Sequence, residues 1–187
     1  MVTDLLRRVR RTPDRLLHPL RRRKALEALR ARPKPQKVLV LCHGNICRSP
    51  LAGALLAREL APFGIMVQSA GFIGFNRPAP GDAISAAERH QIDLSAHRSR
   101  LLTAELARTA DLIVVMEPSQ RRLVCERFGR LPRDVVVLGD VDTGPVETRA
   151  IRDPLDQSRA VFDTVYQRIA RCVSQLVTVL GGGTAKS

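Results

Sequence analysis

Tryptophan is absent from this chain of 187 residues, and tyrosine occurs once and phenylalanine five times. So few rings leave little surface for stacking nucleobases, which argues against single-stranded nucleic acid as the main partner. No apolar run approaches the roughly 18 residues of a membrane span. The first twenty residues contain no uninterrupted apolar segment of the kind a secretory signal peptide needs. There are four cysteines, and two of them share one short loop, unlike a secreted disulfide framework. No His, Cys and Asp spacing suggests a metal site, and no cofactor is expected. A reducing, cytoplasmic setting is the expectation.

Charge is plentiful but uneven. Residues 1–37 carry 13 Lys and Arg against 3 Asp and Glu, leaving 18 against 15 for the rest of the chain. The basic excess belongs to an arm, so no specific nucleic-acid binding is expected of the body. Residues 1–36 read as a basic extension, flexible or partly helical. Leu5, Leu6, Val9, Leu16, Leu17, Leu20, Leu26 and Leu29 follow a broken helical spacing that Pro13 and Pro19 interrupt, and Pro33-Lys34-Pro35 reads as an extended linker. Such an arm suits contact with an anionic membrane surface or an acidic partner. Residues 181–187 read as a flexible, glycine-rich tail.

Between them, residues 37–180 alternate strand and helix patterns. Strands are predicted near 38–42, 65–70, 111–116 and 134–138, and helices near 49–61, 80–91, 103–109, 118–128 and 157–179. This order predicts a single α/β domain with a four-stranded parallel sheet and helices on both faces. Ligands bind such sheets beyond the carboxyl ends of the strands.

The segment Cys42-His43-Gly44-Asn45-Ile46-Cys47-Arg48-Ser49-Pro50 sits at that place, after the first strand and at the start of a helix. Backbone N–H groups at a helix N-terminus favour an anion. The planar fork of Arg48 can grip two phosphoryl oxygens. The same field favours a thiolate at Cys42, and Ser49 can donate a hydrogen bond to it. Gly44 permits a tight turn and Asn45 a left-handed one. His43 through Ser49 are therefore the candidate phosphate-binding residues. A phosphomonoester also needs its leaving group protonated, and Asp153, before Pro154, is the candidate acid. On composition alone an Asp-Pro is more often a turn or a cap.

The segment from Cys42 to Pro50 resembles the signature loop of the low-molecular-weight protein tyrosine phosphatases, Cys-x-Gly-Asn-x-Cys-Arg-Ser-Pro. Ser69-Ala70-Gly71, the stretch Asp93 to Arg100, Asp111 to Met116 and Asp153-Pro154 resemble further segments of that family, in order. The resemblance implies a cysteinyl-phosphate mechanism with Cys42 as nucleophile, Arg48 as phosphate ligand and Asp153 as general acid and base. It also implies an acidic pH optimum, because Asp153 must start protonated and Cys42 ionised. Asn45, Ser49, Ser69 and His97 match a supporting hydrogen-bond network. Cys47 matches a cysteine that can form a reversible disulfide with the nucleophile.

The chain departs from the pattern after Asp153-Pro154, where Leu155 and Asp156 stand in place of aromatics. Leu155 with Phe72 and Phe75 is the expected pocket wall. The expected substrate is a phosphotyrosine protein or a small aryl phosphate. An arginine-phosphatase branch carries threonine where this chain has Ile46, which argues against phosphoarginine. A thioredoxin-coupled arsenate reductase and a non-catalytic phospho-partner binding module are the alternatives. The first would need a second and a third cysteine close together on a mobile segment, whereas Cys125 and Cys172 lie far apart in sequence.

Overall fold

The structure is a computed structural model that describes residues 2–182, with side chains from Asp14 onward. Four strands form one parallel sheet in the order β2-β1-β3-β4. They are β1 (Lys37–Cys42), β2 (Met66–Gly71), β3 (Leu112–Val115) and β4 (Val135–Val137). Strand β1 pairs with β2 on one side, Val40 opposite Ser69, and with β3 on the other, Val40 opposite Val114. The connections leaving β1 and β3 therefore diverge. That divergence opens a crevice above the carboxyl end of β1, where Cys42 ends the strand.

Strands buried on both faces read as continuous apolar runs, as in Val38 to Leu41 and Leu112 to Val115. Their side chains still alternate between two cores. Val38, Val40, Cys42, Leu112 and Val114 face the first core, under α2 (Arg48–Leu60) and α6 (Arg159–Leu180). Leu39, Leu41, Ile113 and Val115 face the second, under α4 (Ala104–Thr109) and α5 (Pro118–Phe128). Helix α3 (Gly81–Glu88) packs on α6. Along α6, Phe162, Val165, Tyr166, Ile169, Cys172, Val173, Leu176 and Leu180 are buried at three- and four-residue spacing, one apolar stripe on the sheet.

The basic extension, expected to be flexible or partly helical, is not interrupted where its prolines were expected to interrupt it. Helix α1 (Val2–Arg30) runs without a break through Pro13 and Pro19. An internal proline costs a helix roughly 3 kcal/mol. Docking sets several contributions against that cost. Leu26 and Leu29 are buried in the first core, on the order of 2 kcal/mol each. His18 is buried too and donates from Nε2 to the Asp142 carbonyl at 2.9 Å. Arg22 donates to Gln175 of α6 at 2.9 Å. Residues 183–187, most of the segment expected as a tail, lie outside the described residues, as do the side chains of Leu5, Leu6 and Val9. Among the described residues, no helix is long and apolar enough to cross a membrane.

Candidate active site

The loop from Cys42 to Cys47 closes over the end of β1 and is held from three sides. Asn45 is its hub. The residue sits in the left-handed region, φ 51°, a conformation that asparagine tolerates better than most residues. Its side-chain amide donates to Ser49 Oγ and Ser69 Oγ, both at 2.9 Å. Its Oδ1 accepts from the Arg100 backbone N–H at 2.9 Å, and its carbonyl accepts from His97 Nε2 at 2.7 Å. Ser49 Oγ lies 3.0 Å from Cys42 Sγ and donates to it. One chain of hydrogen bonds thus runs from Ser69 through Asn45 and Ser49 to the sulfur, and networks of this kind fix a single geometry.

Gly71 makes the approach possible. A Cβ there would lie 2.8 Å from the Asn45 nitrogen and 2.9 Å from the His43 carbonyl oxygen. That carbonyl accepts from the N–H groups of Phe72 at 2.8 Å and Ile73 at 3.1 Å, seating the segment after β2 against the loop. His43 itself is exposed and Gly44 half-buried, whereas Ile46 and Cys47 are buried in the first core.

Arg48 opens α2 and is 1% exposed. Its Nη1 donates to Glu117 at 2.6 Å and to the Ile151 carbonyl at 3.0 Å, and its Nη2 to Asp153. A buried guanidinium needs such partners to offset its desolvation. Its Nε has no acceptor among the described residues, which leaves a donor for an oxyanion. The contact with Asp153 joins the candidate phosphate ligand to the candidate acid, although they lie more than a hundred residues apart in sequence.

Cys47 stays a thiol. Burial pushes it up to about 12, the negative charges at Asp153 and Cys42 add to the effect, and Arg48 and Arg77 oppose it. All four cysteines are free. Cys172 is buried in the first core and Cys125 packs on the second, so the sheet separates them.

Of the three expected wall residues, Leu155 is half-buried against the first core. Phe72 packs its ring on the second. Phe75 is 73% exposed and is the free ring of the set.

Three participants were not read from the sequence. Glu117 follows β3, and a charged residue beyond a strand's carboxyl end was the available signal. Tyr166, the only tyrosine, donates its hydroxyl to the Cys47 carbonyl at 3.0 Å. Burial, reinforced by neighbouring negative charge, pushes its phenol upward, so it remains a donor. Arg77 is exposed, and a Cβ on Gly44 would lie 3.5 Å from its Nη1.

Comparison with known proteins identifies the family and the fold. Residues 37–185 match the family model described as low molecular weight phosphotyrosine protein phosphatase. A probable low molecular weight protein-tyrosine-phosphatase, EpsP of Ralstonia nicotianae, is 37% identical over 141 residues, which are 75% of this chain and 92% of that protein. Among solved structures, Vibrio vulnificus Wzb in complex with benzylphosphonate is 30% identical with a TM-score of 0.68, over 77% of this chain and 98% of that one. The YwlE arginine phosphatase of Geobacillus stearothermophilus is 27% identical with a TM-score of 0.71, over 79% of this chain and 94% of that one. The chain belongs to the low molecular weight phosphotyrosine protein phosphatase family and is a cysteine-dependent phosphomonoester hydrolase.

Proposed function

We propose that this enzyme hydrolyses phosphotyrosine in proteins, with Cys42, Arg48 and Asp153 as its catalytic residues. The observation that carries the reading is the Ser49–Cys42 contact at 3.0 Å, at the base of a loop whose arginine is joined to Asp153. The Cys42 sulfur attacks phosphorus and forms the S–P bond as the bond to the leaving oxygen breaks. That oxygen takes the proton from Asp153. Water then attacks the phosphocysteine and gives its proton to the Asp153 carboxylate. The S–P bond breaks to release inorganic phosphate and the thiolate. Loop amides and Arg48 hold the equatorial oxygens throughout, where positioning and charge supply most of the rate. An arriving phosphate dianion competes for the Arg48 guanidinium and frees Asp153 to turn to the leaving group.

Phosphotyrosine is favoured over phosphoarginine because Ile46 supplies a buried hydrocarbon where the arginine-phosphatase branch carries threonine. Phe75 offers an exposed ring for the substrate's phenyl group. The test is hydrolysis of para-nitrophenyl phosphate and of phosphotyrosine and phosphoarginine peptides from about pH 4.5 to 8. The expected result is acid-optimum turnover that is abolished in Cys42→Ser and sharply reduced in Asp153→Asn. A wild type inactive under reducing conditions would sink the reading.

The free thiols of the loop fit a reducing cytoplasm. There, residues 1–36 act as an extension that contacts anionic membrane surfaces. Leu16 (73% exposed), Leu17 and Leu20 stand beside exposed Arg15, Arg23 and Lys24 on α1, an apolar and basic combination suited to anionic headgroups. Co-sedimentation with phosphatidylserine vesicles but not with phosphatidylcholine vesicles, weakened by salt, is the expected outcome. Binding to neither vesicle would leave an acidic protein as the arm's partner.

A further inference from the structure

The segment that carries Asp153 leaves β4 through Leu138–Val141 and reaches the acid by way of residues 142–152. It is held at several points. Arg168 of α6 donates to the carbonyls of Thr148 at 2.7 Å and Ala150 at 2.9 Å. The same guanidinium holds Asp142 at 2.9 Å, and Arg171 holds it at 2.6 Å. Ile151 N–H donates to the Met116 carbonyl at 2.8 Å. The Arg149 guanidinium takes both oxygens of Asp140, at 2.7 and 2.6 Å. Gly139 lies so close that a Cβ on it would be 2.0 Å from the Arg149 carbonyl oxygen.

Helix α1 closes this set of contacts at two points. His18 Nε2 donates to the carbonyl of Asp142 at 2.9 Å. Asp14 accepts from the backbone N–H of Arg149 at 3.3 Å and is itself fixed by Arg21 at 2.5 Å. Residues 14 and 18 are one helical turn apart and share a face. Together they span both ends of the loop 142–149. Relatives such as EpsP match only 75% of this chain, and the family match begins at residue 37. The helix that supplies these two contacts therefore lies outside the matched domain.

We propose that α1 positions the general acid: Asp14 and His18 grip both ends of the 142–149 loop and thereby fix the backbone that presents Asp153. The inference rests on Asp153 being the acid. Asp14 and His18 do not touch substrate, so they are positioning residues. Releasing them lets the acid segment sample other positions, and a displacement of about 1 Å at a reacting group is enough to cost a large rate factor.

The test exploits the leaving group. Phenyl phosphate needs a proton to leave, whereas 2,4-dinitrophenyl phosphate leaves without one, so the ratio of their kcat/KM values reads out the acid. Wild type, Asp14→Ala, His18→Ala, the double variant and Asp153→Asn are compared in the full-length chain, with melting temperatures alongside. The expected result is a selective loss on phenyl phosphate of about tenfold in the double variant, in the same direction as a larger loss in Asp153→Asn. Equal losses on both substrates, or no loss, with Asp153→Asn still selective, would overturn the proposal. An unselective Asp153→Asn would instead overturn the assignment of the acid. If the double variant is unfolded at assay temperature, the two single variants, each keeping one contact, decide the question by the same ratio.

Discussion

Arg48, at the start of α2, and Glu117, just beyond β3, meet at 2.6 Å although 69 residues separate them. Glu117 takes the Nη1 of the guanidinium while Asp153 takes the Nη2, so the two carboxylates hold separate nitrogens of one buried arginine. Removing one partner of a buried ion pair is costly because the other is left uncompensated. Glu117→Ala is expected to raise KM for para-nitrophenyl phosphate and to lower kcat/KM by about tenfold or more. Steady-state kinetics and phosphate inhibition constants check this. Unchanged phosphate affinity would show that Arg48 keeps its place without Glu117.

Ser49 both accepts from Asn45 and donates to Cys42. Ser49→Ala breaks the chain at its last link. The expected outcome is slower alkylation of Cys42 by iodoacetate at neutral pH, with kcat lowered by about 10 to 100-fold. Mass spectrometry of the labelled peptide follows the first effect and turnover the second.

Cys47, pushed up to about 12 by burial and neighbouring negative charge, is a poor nucleophile over the working pH range. Limited treatment with iodoacetamide from neutral to mildly alkaline pH is expected to modify Cys42 and spare Cys47. Comparable labelling of both in the folded enzyme would contradict this.

Tyr166 satisfies the Cys47 carbonyl from inside the first core, edge-on to Phe162 at a centroid distance of 5.9 Å. Tyr166→Phe keeps the ring and removes the donor. It is expected to lower stability by about 1 to 2 kcal/mol, measured by urea denaturation.

Asp142 is buried, and burial by itself raises a carboxyl pKa. Hydrogen bonds from Arg171, the Gly144 N–H and Arg168 outweigh that and hold it below its ordinary value. A group depressed in the folded state stabilises fully above its unfolded value of about 4 and loses that contribution as pH falls through the folded value. Asp142→Asn is therefore expected to lower the urea midpoint at neutral pH. The gap between variant and wild type should close as pH falls below about 4. A gap independent of pH would mean that the Asp142 charge contributes nothing to folding.

The chain's order of strands and helices was legible because each element carries its own period. Val38 to Leu41 and Leu112 to Val115 are short apolar runs of the kind that a sheet buried on both faces carries. The stripe from Phe162 to Leu180 repeats as only one face of a helix does. The loop from Cys42 to Ser49 was equally legible, since its chemistry lies within a few consecutive residues. Pro13 and Pro19 misled, because their helix-breaking tendency is local while the docking that overrides it is not: His18 meets Asp142 across 124 residues.

The sequence by itself determined the architecture and the Cys42–Ser49 loop, written in short-range patterns and one contiguous motif, and resemblance to the family supplied the candidates for nucleophile, phosphate ligand and acid. Tertiary structure alone decided that Glu117 braces Arg48, that Tyr166 reaches the Cys47 carbonyl, that Phe72 turns into the second core while Phe75 stays free, and that Asp14 and His18 hold the loop leading to Asp153. Each of these is a contact between elements distant in the chain, fixed by which faces the sheet and helices bury, and no local pattern encodes which distant side chain a buried donor will meet.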